Sequence, residues 1–195
     1  MLTKGLDNVA GTAGNDTIIG SISATAGDDL DTLSTLDIVN GGAGVDTLKI
    51  ASAVAAIRLP NMSNVEVVEV EGAAGVTVDT SAVAGVTNLN VTKAAGAVAA
   101  TAAATTDVGV SVKGIAGTTV RVDGGKDVTI NTTDAAATID AGAAGTDVTG
   151  TVTITATGAK AANTAPAVAL GAISVGGGTV INVTRGESSS SSPLS

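Results

Sequence analysis

The sequence of 195 residues contains no Phe, Tyr, Trp, His or Cys, and these absences exclude several kinds of chemistry. Without His, no imidazole can act as a general acid or base, so Ser-His-Asp and Cys-His catalytic sites are excluded. Without Cys and His, no ordinary structural zinc site can form, which leaves hard cations with oxygen ligands. The lack of Cys also rules out a disulfide framework.

The missing aromatic residues also constrain the core. Hydrophobic residues make up 44% of the chain, so the core must consist of Val, Ile, Leu and Ala. A rounded globule of this size would normally contain some aromatic side chains. Small aliphatic side chains suit the thin interior of stacked coils, in which like residues lie on like residues at strand spacing.

The formal net charge of −9 disfavours nucleic acid and anionic membranes as partners. No apolar run approaches the roughly 20 residues that cross a bilayer, and no membrane insertion is expected. The first residues, Met1 to Lys4, are not followed by the apolar segment of a cleavable signal peptide. We therefore expect a chain that is exported by another route and is part of a longer protein.

Three copies of Asp-Thr-(Ile/Leu) follow one another at a constant interval of 15 residues, starting at Asp16, Asp31 and Asp46. A constant period predicts a stacked unit, so these three Asp side chains are expected to form one column of carboxylates. Such a column repels itself unless a cation lies in it. A looser echo, Leu-Asp-x-(aliphatic) at Leu6 and Leu36, recurs at 30 residues.

Two of these copies lie in glycine-rich frames of the form Gly-Gly-x-Gly-x-Asp-x-(aliphatic), at 11–19 and 41–48. Glycines permit tight turns and bring backbone carbonyls close to an ion, while the Asp supplies charge. The pattern predicts a calcium site. Its alternative is a series of Asx turns that cap strands without metal. The candidate calcium ligands are Asp16, Asp31, Asp46, Asp28, Asp29, Gly14 and Gly44.

Residues 51–185 contain short segments of alternating apolar and polar residues, separated by Gly, Ala or Asx turns, with centres about every 9 to 13 residues over much of the stretch. This pattern predicts an all-β fold, a right-handed parallel β-helix or β-roll solenoid, with a β-sandwich as the alternative. The predicted strands are Val65–Glu71, Val76–Thr80, Asn88–Thr92, Val108–Val112, Thr118–Val122, Asp127–Asn131, Ala137–Asp140, Val148–Ala156 and Thr179–Thr184.

The chain divides by composition into three regions. Residues 1–50 are the Gly/Asp calcium-binding coils, 51–185 the β-helix of short Val/Thr/Ala strands, and 186–195 a flexible Ser-rich tail. The Ala-rich stretch at 94–104 has no helical polar face and is predicted to be a loop or tightly packed coil.

Three further patterns have ordinary explanations. Glu66, Glu69 and Glu71 indicate a solvated strand rim, with a second ion site at Glu66 as the alternative. The alternating Thr residues at 149–157 suggest ice binding as a possible function, but the high β-propensity of Thr is sufficient to explain them. The scattered arginines and the lack of an aromatic platform argue against a polysaccharide-active enzyme, and we predict no catalytic residues.

The opening Leu2–Ile18 segment, with the following Gly-Gly-Ala-Gly-Val-Asp-Thr-Leu, resembles the start of the lattice-forming part of RTX-type bacterial S-layer proteins and related adhesins. The stretch Met62–Val70 and the Gly85–Val91 segment are similar to elements of that family. The usable resemblance covers roughly residues 2–92. It implies export by the type I route, a calcium-binding β-solenoid, and calcium ligands at Asp16, Asp46 and, less directly, Asp31.

The resemblance also implies a function. We expect a non-catalytic calcium-binding structural module of a secreted surface-layer protein that self-assembles laterally on the bacterial cell surface. Cell-surface polysaccharide would be bound through parts that this chain does not contain. The alternative is a stalk or ligand-binding region of a calcium-dependent RTX adhesin.

Overall fold

The structure is a computed structural model and describes residues 1–114, 116–133, 136–158 and 170–187. These residues form sixteen β-strands in three parallel sheets. The described part contains no helix long and apolar enough to span a bilayer. The all-β prediction is therefore confirmed.

The largest sheet has eight strands, and they are stacked in chain order. Each strand pairs in parallel with the next one in the sheet. Its members are β2 (Thr17–Ile22), β4 (Thr47–Ser52), β6 (Val67–Gly72), β8 (Asn88–Lys93), β10 (Asp107–Lys113), β12 (Val128–Thr133), β14 (Thr151–Gly158) and β16 (Val180–Glu187).

Two smaller parallel sheets supply the second strand of each coil. The three-stranded sheet contains β1 (Asn8–Ala10), β3 (Ile38–Asn40) and β5 (Asn61–Ser63). The five-stranded sheet contains β7 (Val76–Asp79), β9 (Val98–Ala102), β11 (Ala116–Gly124), β13 (Ala136–Ala141) and β15 (Ile173–Val175).

This topology is that of a parallel β-helix, as predicted. Chain-order stacking with every named pairing parallel requires a coil that returns to the same side after each turn. The β-sandwich alternative is excluded, because sandwiches are built from antiparallel sheets. The right-handed winding remains an expectation from the general rule for parallel crossovers.

The core consists of aliphatic columns that run along the solenoid. One column lies at the first or second position of the strands in the large sheet, and its members are between 0% and 4% exposed from the first coil to the seventh. They are Ile18, Leu48, Val68, Leu89, Val108, Val128 and Val152. Residues without aromatic bulk thus fill a narrow interior by stacking at strand spacing.

Two predicted boundaries fall inside strands, because the ladder is continuous. The boundary at residue 50 lies within β4, and that at 185 lies within β16. Gly186 and Glu187 belong to β16, and the remainder of the predicted tail, 188–195, lies outside the described residues. The Ala-rich stretch was predicted to be a loop or tightly packed coil; instead Val98–Ala102 forms the strand β9, with Val98, Ala100 and Ala102 buried.

Candidate calcium-binding turn

Three turns stack on one another immediately before β2, β4 and β6, and we call residues 11–16, 41–46 and 64–66 the acidic turn stack. Its last residues, Asp16, Asp46 and Glu66, each precede strand residues that are paired in register. The acids therefore occupy the same position in three successive coils. From the sequence, Glu66 was considered only as part of an alternative second ion site. In the structure it lies in the same stack as Asp16 and Asp46.

The acids of the stack are joined by a ladder of hydrogen bonds. Asp46 Oδ1 accepts a hydrogen bond of 2.7 Å from the backbone N–H of Asp16, and Glu66 Oε2 accepts one of 2.9 Å from the N–H of Asp46. Each side chain thus binds the backbone of the coil before it. Backbone N–H groups offset part of the repulsion between the stacked carboxylates.

One carboxylate oxygen of Asp16 is held within its own turn. Its Oδ2 accepts hydrogen bonds from the Thr12 N–H (2.6 Å) and the Thr12 hydroxyl (2.9 Å). These bonds, the backbone one first, lower the pKa of Asp16 below its ordinary value. The two bonds therefore favour the charged form of the Asp16 carboxylate.

Asp46 differs from Asp16 in one oxygen. The Asp46 residue is 0% exposed, and its Oδ2 has no hydrogen-bond partner among the described residues. The equivalent donor would be the N–H of Gly42, but that group donates to Asn40 Oδ1 at 3.1 Å. The first coil has Ala10 where the second has Asn40, so Thr12 N–H stays available to Asp16. Because the second coil has Asn40 at the position of Ala10, Asp46 Oδ2 is left without a donor among the described residues.

The glycines of the stack make this close approach possible. A Cβ on Gly41 would overlap the Asn64 carbonyl oxygen and lie 2.5 Å from Asp46 Oδ2. Gly44 has a φ of +122°, and a Cβ there would lie 2.9 Å from the Gly14 carbonyl oxygen. Gly14 and Gly44, both predicted ligands, therefore lie in adjacent layers of the same stack as Asp16 and Asp46.

The predicted single column of Asp16, Asp31 and Asp46 is wrong. Asp16 and Asp46 are adjacent in the stack and 30 residues apart, so one coil takes 30 residues here and the 15-residue interval is half a coil. Asp31 lies at the opposite end of β2, where it accepts a hydrogen bond from the Ser23 N–H and pairs with Arg58 at 3.3 Å.

Asp28 and Asp29 lie near Asp31 and not in the acidic turn stack. Asp28 accepts hydrogen bonds from the Leu30 N–H and the Ser23 hydroxyl, which lower its pKa. The Asp29 side chain is 96% exposed and pairs with Lys4 at 3.1 Å. The predicted ligand set therefore separates into two groups at opposite ends of one strand.

A second pair of stacked aspartates, Asp7 and Asp37, forms a similar ladder of hydrogen bonds, but in this ladder no buried carboxylate oxygen lacks a donor among the described residues. Asp37, 0% exposed, accepts hydrogen bonds from the Asp7 N–H (3.1 Å) and the Ser34 N–H (2.8 Å). Asp7 in turn accepts one from the Thr3 N–H at 2.7 Å. The 30-residue echo in the sequence corresponds to this pair. Here the Asx-turn interpretation accounts for every carboxylate oxygen.

The donor set at Asp46 fits a hard cation. Calcium prefers carboxylate and carbonyl oxygens, and this turn has a buried anionic oxygen beside glycine backbone. Among the described residues no three acidic side chains converge into a ready cage. A calcium ion at this turn would therefore be held by Asp46, with Asp16 and the carbonyl groups of the adjacent glycine turns, Gly14 and Gly44, as further ligands.

The other polar groups singled out in the sequence lie elsewhere. Glu69 and Glu71 are on the outer face of β6 and pair with Lys49 at 2.8 and 3.6 Å, which raises the pKa of Lys49. Arg58 contacts Asp31 outside the strands, and Arg121 contacts Asp123 within β11. The alternating Thr residues 151, 153, 155 and 157 lie along β14, paired with β12 and β16.

Comparison with known proteins gave no family assignment. A scan against protein-family models found no match to this chain, and a search of curated proteins found none either.

Proposed function

We propose that this chain is a calcium-binding structural module of a secreted bacterial surface-layer protein. The observation that supports it most directly is the buried Asp46 Oδ2, which lies in a glycine-lined turn and receives no hydrogen bond from any described residue. Leaving a buried carboxylate oxygen unsatisfied is costly, and a divalent cation beside it would remove that cost. The resemblance of residues 2–92 to RTX-type surface-layer proteins points to the same ion.

Calcium would act on the fold and not on a substrate. The acidic turn stack joins three coils, so its ligands come together only when the coils have stacked. Ion binding and coil formation are then coupled, because the unfolded chain has no preformed site. Extracellular calcium modules have Kd values of about 10⁻⁴–10⁻³ M, so such a site stays empty in the cytosol and fills outside the cell.

The surface-layer role adds lateral self-assembly of the folded module. The chain carries a net charge of −9, and like molecules of that charge repel one another. Bound calcium reduces this repulsion. We expect two-dimensional sheets to form with increasing protein concentration in calcium and to be visible by electron microscopy; a soluble monomer that binds cells or glycans would favour the adhesin instead.

The calcium proposal is tested by heat denaturation in EDTA and in about 10 mM calcium, followed by circular dichroism. With a Kd of about 10⁻⁴ M the ion stabilises by about 2.7 kcal/mol, which raises the Tm by on the order of 5–10 °C for a chain of this length. We expect Asp46→Asn to abolish the increase. Asp31→Asn is the matched control and should keep it, because Asp31 lies outside the stack.

Two outcomes would count against the proposal. One is a wild-type Tm that does not depend on calcium. The other is a calcium response that survives in Asp46→Asn or is lost equally in Asp31→Asn, which would show that the acidic turn stack alone does not hold the ion.

A further inference from the structure

The two ends of the large sheet differ in how their outer edges are covered. At the first end, the edge of β2 is hydrogen-bonded by the chain itself: Ile19 O accepts the Leu2 N–H at 2.8 Å, and Ser21 O accepts the N–H groups of Thr32 and Leu33 at 2.9 Å. Leu2 and Leu33 also pack over Gly20, with side-chain atoms about 3 Å from where a Cβ would lie. This end of the solenoid is capped.

The opposite end has no such cap among the described residues. Among the described strands, β16 is the last of the large sheet, and it pairs only with β14. The core column that begins with Ile18 ends with Ile181 on β16. Ile18 is 4% exposed, whereas Ile181 is 51% exposed and Val183, in the next column, 44%. Two core positions are therefore left half-covered.

The sequence of this edge favours strand pairing. The segment Val180-Ile181-Asn182-Val183-Thr184 is β-prone and has no charge, Pro or Gly. Natural proteins usually protect an exposed edge with a charge, a Pro, a bulge or a covering segment, because its free N–H and C=O groups can pair with another chain. At β2 the chain uses a covering segment, and at β16 the described residues include none.

We propose that β16 pairs antiparallel with β16 of a second copy of this chain, about a two-fold axis through Asn182. A head-to-tail contact between copies is disfavoured because the edge of β2 is already occupied. A tail-to-tail contact is self-complementary, as the commonest homodimer symmetry requires. With Asn182 on the axis, Ile181 lies opposite Val183 of the second copy, and the reverse, so both half-covered core positions become buried.

This pairing would join the two large sheets into one. In an antiparallel pair, residues directly opposite each other point to the same face of the sheet. The core columns of the two copies would therefore meet end to end, and Asn182 would face its own symmetry mate on the outer face. No calcium ligand takes part, so the inference does not depend on the calcium proposal.

The absence of Cys in the chain allows a direct test by single-cysteine cross-linking. Opposed residues in antiparallel strands have Cα atoms about 4.5–5.5 Å apart, within the range of a disulfide. Asn182→Cys should form a disulfide-linked dimer under mild oxidation in millimolar calcium. Thr184 lies two positions from the axis, so in a Thr184→Cys dimer the cysteines of the two copies would be offset by roughly four residues along the strand. This variant should therefore stay monomeric on a non-reducing gel.

Thr129→Cys, exposed on the outer face of β12, controls for random collision. Analytical ultracentrifugation is a second measurement: Val183→Lys should lower the dimer fraction, while circular dichroism remains that of the wild type. Equal cross-linking of all three cysteine variants, stronger cross-linking at 184 than at 182, or no cross-linking at 182 would overturn the proposal. Failure here would leave any calcium-dependent rise in Tm unaffected, so the two proposals can be distinguished.

Discussion

At the scale of single residues, the acidic turn stack depends on two glycines, Gly11 and Gly41, where a side chain would collide with the backbone of the next coil. Gly11, Gly41 and Asn64 lie at equivalent positions of three coils, since β1, β3 and β5 are in register. A Cβ on Gly41 would overlap the carbonyl oxygen of Asn64. Asn64 itself has a φ of +50°, a left-handed conformation that Asn tolerates better than most residues.

Gly41→Ala should therefore destabilise the protein strongly. The new methyl group forces the Asn64 backbone and the Asp46 carboxylate to move, and overpacking of this kind costs about 1–3 kcal/mol or more. Gly5→Ala is the matched control, because the nearest atom to its Cβ would be 3.8 Å away. Urea unfolding of both variants measures the difference; equal stabilities would contradict the close stacking of these turns.

A second residue-scale prediction concerns acid stability at Asp127. Its Oδ1 accepts a hydrogen bond of 2.7 Å from the Thr151 N–H, and this bond, with Lys126 next, lowers the pKa of Asp127. A lowered folded-state pKa contributes stability that is present above the unfolded value of about 3.9 and lost as the pH falls through the folded pKa.

Asp127→Asn should therefore flatten the dependence of unfolding free energy on pH below about 4, because Asn does not titrate. Urea titrations between neutral pH and acid pH measure this slope. Asp147→Asn, at an exposed turn, is the control and should leave the slope closer to that of the wild type. An unchanged slope in Asp127→Asn would show that the bond to Thr151 is absent in solution.

At the scale of strands, stability comes from columns in which each side chain packs on its equivalents in the coils above and below. Ile130 is 0% exposed and lies between Val110 and Ile154 in the register of the large sheet. Because coils contact mainly their neighbours, a defect in one coil weakens two interfaces at once.

Ile130→Ala should cost about 2–5 kcal/mol, the usual range for a buried large-to-small change. Ile19→Ala is the matched control, because Ile19 is 42% exposed on the outer face of β2 and its truncation should cost far less. Denaturant unfolding measures both. A similar loss for the two variants would contradict the assignment of inner and outer faces.

Nine of the sixteen strands in the described residues were predicted from sequence, whereas β1 to β5, β9 and β15 were not. Alternating patterns with Val and Thr, such as Val76–Thr80, identified strands to within a few residues, because one face is buried and the other is wet. Val98–Ala102 was missed, since alternation between Ala and Val carries almost no contrast in polarity. It pairs with β7 and β11, and its inward side chains join the hydrophobic core.

The site was only partly predictable for a related reason. The Gly/Asp frames correctly indicated that Asp16 and Asp46 share a place, but the 15-residue interval wrongly added Asp31. An interval alone does not say whether it spans a whole coil or half of one. The unsatisfied oxygen of Asp46 depends on Asn40 capturing the Gly42 N–H, a contact that no motif encodes.

At the scale of the whole molecule, coil length changes along the solenoid while the ladder stays in register. Equivalent residues are 30 apart in the first coil, 20 apart in the second and again between Asp107 and Asp127, and 24 apart from Asp127 to Thr151. The strands of the large sheet are all 6 to 8 residues long, so most of the difference lies in the segments between them. The longest early coil carries both the Gly/Asp turns and the Asp31 loop.

The central claim is that calcium binds the acidic turn stack and fastens successive coils, and backbone hydrogen exchange tests it most directly. We predict that adding calcium slows backbone exchange in residues 40–46 and at the Asp16 N–H, which donates a hydrogen bond to Asp46. Exchange in residues 116–133 should change little. Asp46→Asn should remove this protection. Exchange in the stack that is the same in EDTA and in millimolar calcium would contradict the account.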